Sequence, residues 1–221
     1  MERALVIGSS GGIGKAVFQA LSARGVAVDG LSRLGDGLDV TDETSVRTHL
    51  ARFSEPYDLI FVATGVLAAT GDAPEKAIKE VTPGAMLNQF LVNAVGPMLV
   101  LKHSLRLIPK DRRAVFAVLS ARVGSIGDNQ IGGWHSYRSS KAALNQLIHG
   151  ASVELKRTHK QAIAVCLHPG TVATPFTEKY AGRHKTVPAA EAAENLLAVV
   201  DTLRPEQSGG FFDYAGKDIP W

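Results

Sequence analysis

Short apolar runs of strand length alternate with stretches of helical periodicity along almost the whole chain of 221 residues. The apolar runs are unbroken, which is typical of strands that are covered on both faces. Strands that alternate with helices favour a parallel sheet, because each crossover between parallel strands needs a helix. The sequence therefore predicts an α/β fold, a doubly wound parallel sheet with helices on both faces, in a single domain spanning 1–221. The predicted strands are 4–7, 26–31, 38–40, 59–62, 114–119, 162–167 and 209–213, and the predicted helices are 15–24, 83–107, 136–156, 189–203 and one more that Thr41 caps.

The composition restricts the classes of partner. Lysine and arginine total 24 and aspartate and glutamate 21, which gives a formal net charge of +3. Nucleic-acid binding needs clustered positive charge, and no such run is present, so we expect no nucleic-acid partner. The single cysteine, Cys166, excludes an internal disulfide and a cysteine-based zinc site, and we expect no metal. Without a signal-peptide pattern or an apolar stretch approaching about 18 residues, we expect a cytoplasmic protein with no membrane contact.

A glycine-rich turn follows the first predicted strand and leads into the first helix. Glycines allow a tight turn and bring the backbone close to a phosphate, while the N–H groups and positive dipole at a helix start attract a pyrophosphate. The spacing of the turn differs from the common Gly-x-Gly-x-x-Gly pattern. The turn predicts a dinucleotide site that includes Gly8, Ser10, Gly12, Ile13 and Gly14.

The end of the second predicted strand indicates which dinucleotide binds. A carboxylate at this point would bind the ribose hydroxyls and select NAD, but no carboxylate is expected at the tip, since Asp29 comes about three residues too early. Arg33 can pair with a 2′-phosphate, and Ser32 can donate a hydrogen bond to it. We therefore predict NADP(H) as the cofactor rather than NAD(H). The alternative is that Arg33 is a solvated loop residue.

A tyrosine and a lysine, Tyr137 and Lys141, stand four residues apart, which places them on one face of a helix. A lysine near a phenol stabilises the phenolate and lowers its pKa from about 10. The tyrosine can then pass a proton to or from a substrate oxygen. An isolated pair of this kind is a weak pattern, but here it follows the glycine turn and a buried strand that ends at Ser120.

Together these motifs resemble the short-chain dehydrogenase/reductase family, with its Rossmann-type fold, over nearly the whole chain. The segments 120–129 and 211–221 are similar to those of its C-factor-like and sniffer-like carbonyl reductases. The resemblance implies that Asn93 holds a water in the proton relay behind Lys141, although a buried helical asparagine can also be a satisfied core group. It further implies that Lys141 and Tyr137 contact the cofactor, and that the cofactor site includes Asp39, Val40, Gly65, Pro169, Gly170, Val172 and Thr174.

Two positions depart from the family pattern. Residues 62–65 read Val-Ala-Thr-Gly where the family usually has Asn-Asn-Ala-Gly, so only the glycine is retained. The family's catalytic serine falls in register with Ala121. We expect the neighbouring Ser120 to donate to the substrate carbonyl as negative charge develops there. Ser125, or a relay without a serine, are the alternatives.

These features predict an oxidoreductase that transfers a hydride between NADP(H) and a small carbonyl or alcohol substrate, with Tyr137 as general acid/base. A flap at about 176–187 is expected to select the substrate. The alternative is an NADP(H)-binding sensor or signalling module with little turnover. An epimerase is less favoured, because little of the chain follows Val187. The resemblance also implies a homodimer or homotetramer that pairs through helices 83–107 and 136–156.

Overall fold

Six strands form the central sheet, and every pair of neighbours runs parallel. The computed structural model describes residues 1–68, 73–174 and 186–221. The strand order is β2-β1-β3-β4-β5-β8, and a short parallel pair, β6-β7, lies outside the sheet. The strands are β1 (Arg3–Ile7), β2 (Ala27–Leu31), β3 (Leu59–Val62), β4 (Ala114–Leu119), β5 (Ala162–His168), β6 (Val172–Ala173), β7 (Val187–Pro188) and β8 (Phe211–Asp213).

Helices cover both faces of this sheet. Alternate residues of each central strand point into two separate apolar cores, which explains why the strands read as unbroken apolar runs. Helices α1 and α7 close one core, and α3, α5 and α6 close the other. The predicted doubly wound fold is confirmed. The helices are α1 (Gly12–Ala23), α2 (Arg33–Asp36), α3 (Glu43–Leu50), α4 (Pro83–Phe90), α5 (Gly96–Ser104), α6 (His135–Leu155) and α7 (Ala189–Thr202).

The strand predicted at 38–40 is absent, and this prediction was wrong. The chain leaves β2 through the short helix α2 and an irregular segment. Leu38 and Val40 are buried, so their apolar character reflects packing into the core rather than strand pairing. The backbone N–H of Asp39 donates to the hydroxyl of Ser45 at 3.0 Å, a local bond that replaces a strand partner.

The cap of α3 is also different from the prediction. Asp42, not Thr41, is the N-cap residue, and its carboxylate accepts a hydrogen bond from the N–H of Thr44 at 2.9 Å. The hydroxyl of Thr41 instead donates to the carboxylate of Asp39. An aspartate fills the capping role as well as a threonine, so the helix starts where its pattern indicated.

The predicted helix at 83–107 is continuous but not uniform. A π-helical turn, Leu91–Val95, separates α4 from α5, and a 3₁₀ turn, Leu105–Leu107, ends the segment. Judged by length and composition alone, Pro83–Leu107 is long and apolar enough to cross a membrane. This differs from the expectation that no stretch of the chain has this length and apolar character. A core helix passes the same test, and here 39% of the most apolar window is buried against the rest of the protein.

Candidate functional site

The glycine turn lies at the carboxyl ends of β1 and β3, where the strand order reverses and ligands of such sheets bind. Gly8 has a left-handed φ of +91°, and a Cβ on it would lie 3.0 Å from the carbonyl carbon of Ala63. A Cβ on Gly14 would collide with the carbonyl oxygen of Gly8, and one on Gly12 would lie 2.6 Å from Cγ2 of Thr174. The turn after β1 is therefore packed closely against the turn after β3 and against Thr174. Only glycine, which has no Cβ, fits at these contacts.

Helix α1 begins in this turn without a side-chain cap and without an acidic residue in its first turn. Its first N–H groups have no partners within the helix, and its positive dipole end faces the turn. The buried hydroxyl of Thr64 has no hydrogen-bond partner among the described residues, and the Thr64 backbone lies beside Gly8. Buried hydroxyls are nearly always paired. These residues fit the diphosphate of a dinucleotide.

The tip of β2 holds a carboxylate that the sequence did not indicate. Ser32 caps α2 by accepting a hydrogen bond from the N–H of Gly35 at 2.9 Å. Asp36 folds back and accepts from the Ser32 N–H at 2.7 Å and from its hydroxyl at 3.3 Å. Arg33 is exposed beside them. The expectation that no carboxylate stands at this tip was wrong, because a four-residue helix returns Asp36 to the end of the strand.

The neighbouring loop carries two residues that were expected near the adenine. The carboxylate of Asp39 accepts from the N–H of Thr41 at 2.9 Å and from its hydroxyl at 2.7 Å. These hydrogen bonds hold the pKa of Asp39 below its usual value. Val40 packs against the start of α5, where a Cβ on Gly96 would lie 2.9 Å from its Cγ2. The loop is thus fixed to the helical layer beneath the site.

Helix α6 places Tyr137 and Lys141 one turn apart and buries both side chains. The Lys141 ammonium lies 6.0 Å from the centre of the Tyr137 ring. It donates to the carbonyl oxygen of Leu119 at 2.9 Å. Burial lowers the pKa of Lys141 to about 8 and raises the pKa of Tyr137 above its usual value. The predicted proximity is confirmed, but the predicted lowering of the tyrosine pKa is not, because burial disfavours the charged phenolate.

Asn93 is fully buried and holds the chain that follows β3. Its side-chain oxygen accepts from the N–H of Val66 at 2.8 Å, and its amide donates to the carbonyl of Val66 at 2.9 Å. The same amide donates to Gln89 at 2.6 Å and to the hydroxyl of Ser140 at 3.1 Å. Gln89 in turn donates to the carbonyl of Leu67 at 2.6 Å. Sequence reasoning missed Gln89, although a glutamine four residues before Asn93 on a helix was a usable signal.

Gly65 lies where this network meets the lysine. A Cβ on Gly65 would lie 3.2 Å from the side-chain oxygen of Asn93 and 3.5 Å from Nζ of Lys141. The π-helical turn surrounds Asn93, and π turns are frequent at functional sites. Pro97 has no N–H, so it cannot donate the usual helical hydrogen bond to the backbone carbonyl of Asn93. This arrangement is compatible with a water at that carbonyl.

The segment 169–174 continues the site along the sheet edge after β5. Gly170 has a left-handed φ of +76°, and Val172 is buried. Val172 pairs with Val187 in the short β6-β7 ladder. Of the flap predicted at 176–187, all but the last two residues lie outside the described part of the chain.

A family model described as enoyl-(acyl carrier protein) reductase matches residues 8–207. The chain belongs to the short-chain dehydrogenase/reductase family of oxidoreductases. The family resemblance inferred from the glycine turn and the Tyr/Lys pair is thereby confirmed.

Two curated relatives are similar to this chain in sequence. A 1-hydroxy-2-glutathionyl-2-methyl-3-butene dehydrogenase of Rhodococcus sp. strain AD45 is 32% identical over 238 residues, covering 100% of both chains. The C-signal protein of Myxococcus xanthus is 37% identical over 145 residues, covering 66% of this chain and 84% of that protein.

Solved structures show the same fold. A Burkholderia multivorans protein assigned as a short-chain dehydrogenase/reductase, with bound NADP, is 25% identical, with a TM-score of 0.81 over 100% of this chain and 99% of that one. The carbonyl reductase Sniffer of D. melanogaster is 21% identical, with a TM-score of 0.82 over 100% of both chains. At that identity, the Sniffer likeness concerns the fold alone.

The two serines near the short-chain dehydrogenase/reductase serine position have different hydrogen-bond partners. Ser120 is buried, and its hydroxyl donates to the side-chain oxygen of Asn145 at 2.7 Å, toward α6. Ser125 is also buried and accepts from the N–H of Asp128 at 3.1 Å. Since Ser125 acts as an acceptor there, its own hydrogen is left for another partner. Ala121, between them in the chain, has no polar group to offer.

Proposed function

We propose that this protein is an NADP(H)-dependent enzyme that interconverts a carbonyl and an alcohol, with Tyr137 as general acid/base. The observation that carries the proposal is the meeting of Tyr137, Lys141, Asn93 and Gly65 at the carboxyl edge of the sheet, next to a turn suited to a diphosphate. The likeness to the Rhodococcus dehydrogenase and to a structure with bound NADP supports it.

NADP(H), when bound, supplies or accepts the hydride. In the direction of reduction, Tyr137 donates its phenolic proton to the substrate oxygen. Burial raises the pKa of Tyr137, so the residue is held in the protonated form that reduction needs. With a pKa of about 8, Lys141 is mostly protonated at neutral pH, and its charge stabilises the phenolate that remains after proton transfer.

Asn93 serves this step as a positioning residue. Its side chain fixes Val66, and through it the Gly65 turn, against Lys141. After reduction, Lys141 passes a proton to the Tyr137 phenolate. The backbone carbonyl of Asn93, which Pro97 cannot engage, offers a site for a water that then returns a proton to Lys141. Gln89 completes the set by holding the next residue of the same segment.

Two serines, Ser120 and Ser125, are candidates to polarise the substrate carbonyl. The hydroxyl hydrogen of Ser120 is donated to Asn145, which favours a supporting role for Ser120 under α6. Ser125 retains a hydrogen to donate and is the stronger candidate on this geometry. A relay in which Tyr137 alone binds the carbonyl is the remaining arrangement.

The preference for NADP(H) rests on Arg33 at the tip of β2, because Ser32, the other residue expected there, donates to Asp36. An exposed guanidinium pairs well with a 2′-phosphate. Asp36 opposes the binding of a 2′-phosphate in two ways. Its carboxylate already accepts the hydrogen bond from the Ser32 N–H, and its negative charge would repel the phosphate. We therefore propose a preference for NADP(H) that Asp36 moderates.

Titration of the protein with NADPH and with NADH, followed by nicotinamide fluorescence, tests the cofactor assignment. Tighter NADPH binding that Arg33→Ala weakens would support it. Arg157→Ala, which removes an exposed arginine after the far end of α6, is the matched control and should bind like the wild type. Failure to bind either nucleotide would contradict the oxidoreductase proposal.

A second candidate function is an NADP(H)-binding signalling protein. The likeness to C-signal and the alanine at position 121 favour it. The buried Tyr137/Lys141 pair argues against it, since a protein that only binds needs no proton relay. If the protein reduces a carbonyl compound and Tyr137→Phe abolishes this activity, the result would favour the enzyme over the signalling protein.

We also propose that the protein forms a homodimer or homotetramer through α4 and α6, which pack against each other. Leu87 and Leu91 on this layer are 64% and 40% exposed, and Val153 on α6 is 50% exposed. Large exposed apolar side chains that share a layer are typical of an interface. Light scattering of the wild type and of Leu87→Glu tests this, with dissociation expected for the variant.

A further inference from the structure

Helix α6, which carries Tyr137 and Lys141, has no N-cap of its own. Trp134, the residue before its first turn, has a left-handed backbone (φ 51°, ψ 40°) and makes no side-chain capping bond. The first turn also contains no acidic residue. The first N–H groups of a helix have no partners within it, and its N-terminus carries a partial positive charge. The turn that holds Tyr137 therefore depends on another part of the chain.

Glu75, which precedes Ser136 by 61 residues, supplies the cap. Its carboxylate accepts from the N–H of Ser136 at 3.3 Å and from the Ser136 hydroxyl, and its backbone carbonyl accepts from the N–H of Trp134 at 2.5 Å. Glu75 is only 9% exposed. Burial alone would raise the pKa of Glu75, but the hydrogen bonds from Ser136 and the charge of His135 hold it below its usual value. Glu75 is thus a charged cap.

The loop before α6 is shaped around this contact. Gly132, Gly133 and Trp134 follow one another with left-handed φ values of +68°, +63° and +51°. Among the described residues, Trp134 is the only residue other than glycine with a positive φ, a conformation that costs energy and is found at functional sites. A Cβ on Gly133 would lie 3.4 Å from the carbonyl oxygen of Lys76. On the other side, Arg138 donates to the carbonyl of Gly133 at 3.0 Å.

We propose that Glu75 is a positioning residue for proton transfer: by capping α6 from outside, it fixes Tyr137 in the place where its hydroxyl meets the substrate oxygen. The inference rests on the proposed function, because Glu75 acts through Tyr137. Helix ends fray, and Tyr137 lies in the first turn, directly after Ser136. Lys141 is one turn further in and is tied to Leu119. Loss of the cap therefore moves the tyrosine relative to the lysine.

The test compares Glu75→Ala and Glu75→Gln with Glu154→Ala, which removes an exposed carboxylate from the other end of α6. The assay is steady-state oxidation of NADPH with whichever aldehyde, ketone or quinone of a panel the wild type reduces fastest. We expect Glu75→Ala to lower kcat by about tenfold to a hundredfold, with the Kd for NADPH within about twofold of the wild type. Glu75→Gln keeps an acceptor for Ser136 without the charge, so its kcat should lie between the kcat of Glu75→Ala and that of the wild type. Glu154→Ala should match the wild type.

Hydrogen exchange at the amides of Ser136 and Tyr137 is a second readout that needs no turnover. Exchange should accelerate in Glu75→Ala and stay unchanged in Glu154→Ala. A kcat for Glu75→Ala equal to the wild-type kcat would overturn the proposal, and so would a kcat that falls only in step with NADPH affinity and Tm. If Tyr137→Phe turns over the substrate as fast as the wild type, that result would contradict the proposed function itself, whatever the hydrogen exchange shows.

Discussion

Lys141 donates a hydrogen bond to the backbone carbonyl of Leu119 across 2.9 Å. Leu119 is the last residue of β4, so this bond ties α6 to the carboxyl end of the central sheet. The ammonium is thereby held, buried, at a fixed distance from the Tyr137 ring. A buried charge that has one carbonyl partner among the described residues destabilises the folded state, so the proposed role of Lys141 comes at a cost in stability.

The first prediction concerns Lys141→Met and stability. The pKa of Lys141 is about 8 in the folded protein against an ordinary value of 10.5, so the unfolded chain binds this proton more tightly. The resulting destabilisation of the folded state, about 3 kcal/mol, is fully present below pH 8 and is relieved as the pH rises from 8 to 10.5. The variant also leaves the Leu119 carbonyl unpaired, so we expect a net gain of about 1 kcal/mol in the free energy of unfolding at pH 7.

Urea denaturation of Lys141→Met and wild type at pH 7 and near pH 10 measures this difference. The advantage of the variant should shrink or reverse at the higher pH, where the wild-type lysine becomes neutral. Lys156→Met, at an exposed position after the same helix, should show no such pH dependence. A variant less stable than the wild type at pH 7 would show that the lysine is better solvated than its burial indicates.

The second prediction concerns Tyr137→Phe. Removal of the phenolic hydroxyl should lower kcat by about a hundredfold or more, because general acid catalysis contributes factors of this size. Nicotinamide fluorescence should report NADPH binding close to that of the wild type. Tyr57→Phe is the matched control: its hydroxyl donates to Asp29 at 2.6 Å near the opposite end of the sheet, so it can affect stability but not kcat.

The third prediction separates the two serines. Ser125→Ala should lower kcat by about tenfold or more if its hydroxyl polarises the carbonyl. Ser120→Ala should mainly lower the free energy of unfolding, by about 1 kcal/mol, because it leaves Asn145 without a buried donor. Kinetics and chemical denaturation of both variants test this. The reverse result, with a loss of kcat confined to Ser120→Ala, would restore Ser120 as the catalytic serine.

The fourth prediction concerns Gly12→Ala in the glycine turn. The new methyl group would lie 2.6 Å from Cγ2 and 3.1 Å from Cβ of Thr174, so the turn and the segment that follows β5 must move apart or the Thr174 side chain must rotate. We expect NADPH affinity to fall by about tenfold or more, since the helix N–H groups lose their alignment on the diphosphate. Gly84→Ala, which meets no atom within 4 Å, should leave NADPH binding unchanged. Equal affinity of both variants would argue against the diphosphate site.

The fifth prediction concerns Asp36→Asn. Neutralising this carboxylate should raise the ratio of NADPH to NADH affinity by about threefold to tenfold, because repulsion of the 2′-phosphate is removed while Arg33 is kept. The effect should weaken at high salt, since Asp36 is exposed. Fluorescence titrations at two salt concentrations measure it. An unchanged ratio would place Asp36 outside the reach of the phosphate.

The sequence could identify the parts of the site that depend on local pattern. The glycine turn and the Tyr137/Lys141 pair could be placed because each lies within one strand–helix junction or one helix. The same reasoning mistook residues 38–40 for a strand, since burial against helices leaves the same apolar signature as burial in a sheet.

Asp36 and Glu75 could not be found in this way, whereas the spacing of Gln89 and Asn93 on one helix was a usable signal. The position of Asp36 depends on a four-residue helix too short to be predicted from periodicity. Glu75 depends on a partner elsewhere in the fold, which it meets across 61 residues of chain. A polar residue of this kind looks like an ordinary surface residue until the two segments are brought together.

The external cap on α6 also bears on the order in which the molecule folds. Contacts between distant segments form late, because closing the intervening chain costs entropy before the contact is made. Most of α6 can form with its apolar face on the sheet, whereas its first turn must wait until the chain around Glu75 is in place. We therefore expect the tyrosine end of the helix to be among the last regions to become ordered. During refolding, helical circular dichroism should return before the capacity to reduce a carbonyl does.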